Sequence, residues 1–242
     1  MSPGCPRTFT GVVNNSETNE QIVRCVIQPS FLDDQSIEVI TKLLQHVDTF
    51  VTRGAAWVLI NLTYISDQQT MPLILRNLSV PAVQRMLNSS DIEVWEKAFG
   101  LIQNMMAYEA QEDVSNLREL ARIAVAAIET QLRGVMTEND KKQQATICLL
   151  SSIASSFYSP MITNDLISLS LQHINTRNCQ LSRLLVQCLN QMLNHNDPHV
   201  WKHRMCTETE AYNTIYGSLN GSFSRDYLLE AAEFIQKCGA IF

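Results

Sequence analysis

Apolar residues recur along this chain at the three- and four-residue spacing of amphipathic helices, and the strict alternation of an exposed strand is missing. The stretch from Asp48 to Asp67 is the most nearly continuous helical reading. Its Ala55, Ala56, Val58, Leu59, Leu62 and Ile65 give one wide apolar face. Before it, Ser36 to His46 places Ile37, Ile40, Leu43 and Leu44 together, and a short helix over 17–27 ends at Pro29. This order of short helix, medium helix, tight break and long helix then returns. Residues 68–75 and 80–87 lead to a long helix over 92–108, opened by a capping box from Ser90 to Glu93. Residues 117–132 lead to 141–157, residues 162–174 to 181–193, and residues 208–219 to 225–239. Residues 1–15 carry Pro3, Gly4, Pro6 and Gly11 and read as a flexible arm, which leaves 16–242 as a single domain.

Laid over one another, the long helices align Asn61 with Asn104, Ser152, Gln191 and Gln236, at intervals of 43, 48, 39 and 45 positions by subtraction. Such a period in a helical chain marks an armadillo or HEAT array. Each unit cannot bury its apolar face alone, so units stack and share one core. The expected fold is all-α, a right-handed armadillo/HEAT-like helical solenoid of about five repeats. A buried carboxamide is unfavourable unless paired. A polar residue at the matched place in each repeat is more simply read as a row lining an open groove. Trp57 and Asn61 lie one turn apart on one side of their helix. Trp57 is either ordinary core or the apolar wall of a recognition surface on which Asn61 bonds a peptide backbone as donor and acceptor.

Residues 19–70 resemble the armadillo repeats of the importin-alpha family of nuclear-import adaptors. The family's A-A-W-x-L-x-N motif is matched by Ala55-Ala56-Trp57-Val58-Leu59-Ile60-Asn61, followed by Ser66-Asp67-Gln68-Gln69-Thr70 at the start of the next repeat. The resemblance implies a concave groove in which Trp walls pack Lys stems and Asn amides hold the backbone of an extended basic peptide. Later repeats depart from it. Gly100, Cys148, Gln187 and Ala232 stand where the Trp would recur, and a basic docking arm is not found at the N-terminus.

Charge and candidate chemistry narrow the function. The net charge is -6 and the 18 Lys and Arg are spread thinly, so direct nucleic-acid binding is not expected and a basic partner is favoured. The seven cysteines form no Cys-x-x-Cys pair and read as free thiols of a reducing compartment. With no apolar signal core and no long apolar run, the expected location is cytoplasmic and/or nuclear, with no membrane contact. His195, His199 and His203, near Asp197 and Cys206, have zinc-like spacing. No second ligand pair is near in sequence, so a solvated cluster is favoured and no metal is expected. Trp95 with Phe99, Trp201, and the methionines among the apolar positions read as core. The phosphate-loop, dinucleotide and nucleophile-elbow motifs are all absent. No catalytic residue, cofactor or small-molecule substrate is expected.

The expected function is a non-catalytic protein-interaction scaffold that binds an extended or helical partner segment in a concave groove. The groove contacts expected are Trp57, Asn61, Asn104, Ser152, Gln191 and Gln236. The alternative is an importin-alpha-like transport adaptor for a basic localisation signal.

Overall fold

The computed structural model describes residues 33–65, 70–108, 115–134, 140–156, 158–174, 179–194 and 198–239. The arm over 1–15, the helix expected over 17–27, Gln68, Gln69, His195 and Asp197 lie outside the described residues. Within them, apolar period becomes helix at nearly every expected place. Helix α1 (Asp34–Leu43) is followed by α2 (Thr49–Ile65), α3 (Thr70–Asn77), α4 (Val80–Leu87) and α5 (Ile92–Met106). Then come α6 (Ser115–Arg133), α7 (Asp140–Ala154), α8 (Asn164–Leu171) and α9 (Cys179–Leu193). The last are α10 (Pro198–His203), α11 (Ala211–Ser218) and α12 (Arg225–Gly239).

Caps set the starts. The Asp33 carboxylate accepts from the Ser36 backbone N–H at 2.8 Å and opens α1. The Ser36 hydroxyl, and then its backbone N–H, hold the Asp33 carboxyl below its ordinary value. The capping box expected at Ser90 is corrected: the N-cap of α5 is Asp91. Its carboxylate accepts from the N–H groups of Glu93 at 2.9 Å and Val94 at 3.4 Å. A carboxylate there bonds orphan donors and also faces the positive end of the helix. The helix expected over 208–219 starts later, at Ala211, because Arg204–Glu208 winds as a π turn and Thr209 is extended.

The long helices form one layer, with α2 packed on α5, α5 on α7, α7 on α9 and α9 on α12. Behind them, α1 packs on α2 and α3, α4 on α5 and α6, α6 on α7 and α8, and α11 on α8 and α12. One core runs between the layers, through Leu59, Ile102, Leu149, Leu189 and Phe234. Met86, Met105, Met106 and Met192 fill it. Trp95 is core as well, with its ring stacked on Phe99 at a centroid distance of 3.9 Å.

Trp201 is the packing anchor of α10. It is buried, and the Arg204 guanidinium lies 4.4 Å from its ring centroid. Arg204 donates from Nε to Asn164 Oδ1 at 2.6 Å and from Nη2 to the Ile162 carbonyl at 2.5 Å, so the π turn is tied to the start of α8. Burial pulls the Arg204 guanidinium below its ordinary value, against the opposing pull of Glu208. Arg204→Met keeps the stem over Trp201 and removes both bonds. It is expected to cost about 2 kcal/mol in urea unfolding, since bonds to charged groups are individually worth more than neutral ones. An unfolding midpoint unchanged from the parent contradicts this account.

The described cysteines, Cys148, Cys179, Cys188, Cys206 and Cys238, are in the thiol form, outside any disulfide. Burial, with neighbouring Cys206 adding to it, pushes the Cys238 thiol up to about 12. Since the thiolate is the nucleophile, native protein at pH 8 is expected to leave Cys238 unalkylated by iodoacetamide, while urea exposes it. Peptide mass spectrometry reads the difference. Rapid native labelling of Cys238 contradicts the burial.

Candidate interaction face

The outer side of the long-helix layer is built by subtraction. On α2, Thr52, Ala55, Ala56, Leu59, Leu62 and Thr63 are buried against the core. The opposite side presents Phe50, Trp57 and Tyr64 at seven-residue spacing. Trp57 is 44% exposed, so of its two readings the structure places it outside the core. Asn61, one turn on, is half-buried and donates from Nδ2 to the Trp57 carbonyl at 2.8 Å. That bond fixes the amide beside the indole.

Asn104 stands on the next helix and faces sideways as well as out. Its Nδ2 donates across to the Ile60 carbonyl at 3.0 Å and to Thr63 Oγ1 at 3.1 Å. Four residues earlier, where the tryptophan would recur, a side chain on Gly100 would meet Ile60 Cδ1 at 3.5 Å. Ile60 therefore covers the place left open. On α7, Ser152 donates to the Cys148 carbonyl at 3.0 Å. On α9, Gln191 Oε1 accepts from Ser155 at 3.1 Å and from Ser151. Gln187 Nε2 donates to Glu230 Oε1 at 2.6 Å, and Asn190 Nδ2 to the Glu230 carbonyl at 3.0 Å. At the flanks Arg53 pairs with Glu93, and Arg183 Nη1 lies 3.3 Å from Asp226.

The structure thus brings Asn61, Asn104, Ser152 and Gln191 to matched places on successive helices. Much of this polar row joins one helix to the next, a role the sequence reading missed; paired polar residues about 40 positions apart were the signal available. The matching of α12 is different. Burial alone fits 45 positions as well as 42. The bonds of Glu230 with Gln187 and Asn190, 43 and 40 positions back by subtraction, copy those of Asn104 with Ile60 and Thr63, 44 and 41 back, and so set 42, one less than the 43 from α2 to α5. On that interval Leu229 matches Gln187 and Glu233 matches Gln191. Gln236 is exposed on the same helix, three residues beyond Glu233. Leu229 is 61% exposed. Trp57 and Leu229 therefore stand at the two ends of one row, with Gly100, Cys148 and Gln187 between.

His203 Nε2 lies 3.3 Å from Glu208 Oε1, an ion pair only when the ring is protonated, and His199 is exposed. Among the described residues no group of three or more His, Cys, Asp or Glu is placed to hold a metal ion. No described helix is long and apolar enough to cross a membrane.

No family model matches the chain. It is 26% identical over 136 residues to Armadillo repeat-containing protein 8 of Mus musculus, a match covering 55% of this chain and 20% of that protein. It is 22% identical over 161 residues to the Xenopus laevis protein of the same name, covering 65% of this chain and 22% of that one. The matches span about a fifth of the length of these curated relatives. Among solved structures, a designed armadillo repeat protein in complex with the peptide (KR)4 superposes with a TM-score of 0.68, at 13% identity, over 93% of this chain and 95% of that one. An engineered protein superposes with a TM-score of 0.65, at 16% identity, over 95% of this chain and 93% of that one. Helix order, repeat interval and these superpositions together identify the chain as carrying the armadillo-repeat fold, an all-helical solenoid.

Proposed function

We propose that this chain is a non-catalytic protein-interaction scaffold that holds an extended partner segment along the face made by α2, α5, α7, α9 and α12. The observation that carries the reading is exposed Trp57 beside half-buried Asn61, continued by Asn104, Ser152 and Gln191 on successive helices. A solenoid's curvature makes such a face an extended concave surface. Amides and hydroxyls there can meet the donors and acceptors of a peptide backbone, and an indole offers an apolar wall. The designed armadillo repeat protein in complex with (KR)4 supports the peptide-binding part of the reading. The partner is a protein, with no nucleic acid, membrane or small molecule required, and the setting is cytoplasmic and/or nuclear.

A direct test is selection from a phage library of random sixteen-residue peptides on the immobilised chain. Enriched peptides should compete for one site, and Ser152→Arg, placed mid-face, should abolish their binding with the helical circular-dichroism signal kept. Binding untouched by that block and by Ser155→Arg would remove the reading.

The second reading, an importin-alpha-like adaptor for a basic signal, is favoured by the Ala55-Ala56-Trp57…Asn61 match. It requires a labelled (KR)4 peptide to bind this chain, with affinity falling steeply as salt screens the attraction.

A further inference from the structure

Resting on that groove reading, we infer that the occupant is a charge-poor extended segment with two large apolar side chains about ten residues apart, one against Trp57 and one against Leu229. Three observations converge. The first is the row itself. Large exposed apolar groups stand at its two ends, on α2 and α12, while Gly100, Cys148 and Gln187 leave the middle low. The second is chemistry. The parallel row of Asn61, Asn104, Ser152 and Gln191 offers amides and a hydroxyl, which recognise backbone and not charge.

The third is electrostatic. A lysine-rich ligand needs open carboxylates, and four of those beside the rows already have partners. Glu93 pairs with Arg53, and Asp226 with Arg183 at 3.3 Å. Glu230 accepts from Gln187 at 2.6 Å, and Glu233 lies 2.5 Å from Lys237 Nζ. A basic peptide must share Glu93, Asp226 and Glu233 with the cations already beside them, whose charge offsets the attraction, whereas a neutral one leaves these pairs undisturbed. The spacing follows from geometry. Neighbouring packed helices lie about 8–10 Å apart, so the four steps from α2 to α12 span roughly 32–40 Å. An extended chain advances about 3.3 Å per residue, which corresponds to roughly ten to twelve residues.

The composition of the selected sixteen-residue peptides decides this. The expected result is a charge-poor set with two apolar positions about ten apart. A synthetic copy should lose tenfold or more in affinity to either Trp57→Ala or Leu229→Ser, and hardly respond to salt between 50 and 300 mM. Both variants alter exposed side chains, and circular dichroism verifies that they fold. Lys- and Arg-rich peptides that Ser152→Arg still blocks would overturn this inference and leave the groove reading standing. So would peptides sensitive to Trp57→Ala but not to Leu229→Ser. No enrichment, or peptides indifferent to both Ser152→Arg and Ser155→Arg, would remove the groove reading and this inference with it.

Discussion

Trp95→Ala is expected to destabilise the array by about 3–5 kcal/mol, the range for truncating a buried aromatic to alanine. The indole is 1% exposed, stacked on Phe99, with Lys142 Nζ 5.0 Å from its ring centroid. Lys142 belongs to α7, so the lost ring opens a void in α5 and removes a contact across the α5–α7 step. In a solenoid each unit is stabilised chiefly by its neighbours, so damage at one interface weakens the next. Urea unfolding followed by circular dichroism should show an earlier transition, broadened if the two halves separate. A midpoint unchanged within error would mean that the core closes over the gap.

Trp57→Ala should do the reverse. The side chain is large, but it is exposed, and surface substitutions away from special features usually stay within about 0.5 kcal/mol in stability. Truncating an aromatic anchor that a partner side chain packs on typically costs about 2 kcal/mol or more in binding, which is roughly thirtyfold in affinity. Peptides selected on the parent chain, read by fluorescence anisotropy, should therefore bind at least tenfold more weakly while the urea midpoint holds. An unfolding transition shifted as far as that of Trp95→Ala would place Trp57 in the core after all. Two tryptophans on helices with the same apolar period thus make opposite predictions, separated by which side of the helix each occupies.

That separation explains how far the sequence could be read. The helices and their repeat were legible because burial of one face imposes the 3.6-residue period on the apolar positions. Trp95 and Phe99 fall inside that period, and their place in the core followed. Trp57 was open between core and surface, because an indole satisfies either, and only the packing of Ala55, Ala56 and Leu59 resolves it. Asp91 took the cap from Ser90 because both residue types cap well and sequence does not decide between adjacent candidates. The α12 alignment moved by one turn because Ala231, Ala232 and Phe234 supply apolar residues on neighbouring faces. Which of them is buried depends on contacts with α9 and α11. Hidden most completely were the sideways bonds, since each requires two helices to be placed before either amide has a partner.

Those bonds connect capture to shape. Asn104 fastens α5 to α2, Gln191 receives the serines of α7, and Glu230 is gripped from α9 by Gln187 and Asn190. A segment that lies along the face competes for some of the same donors, so each bond it takes loosens a rung. Seating a ligand should then slacken the twist from one unit to the next, and pulling the coil longer should free donors for the ligand. On the groove reading proposed above, affinity and superhelical pitch are then conjugate quantities, as load and extension are in a spring.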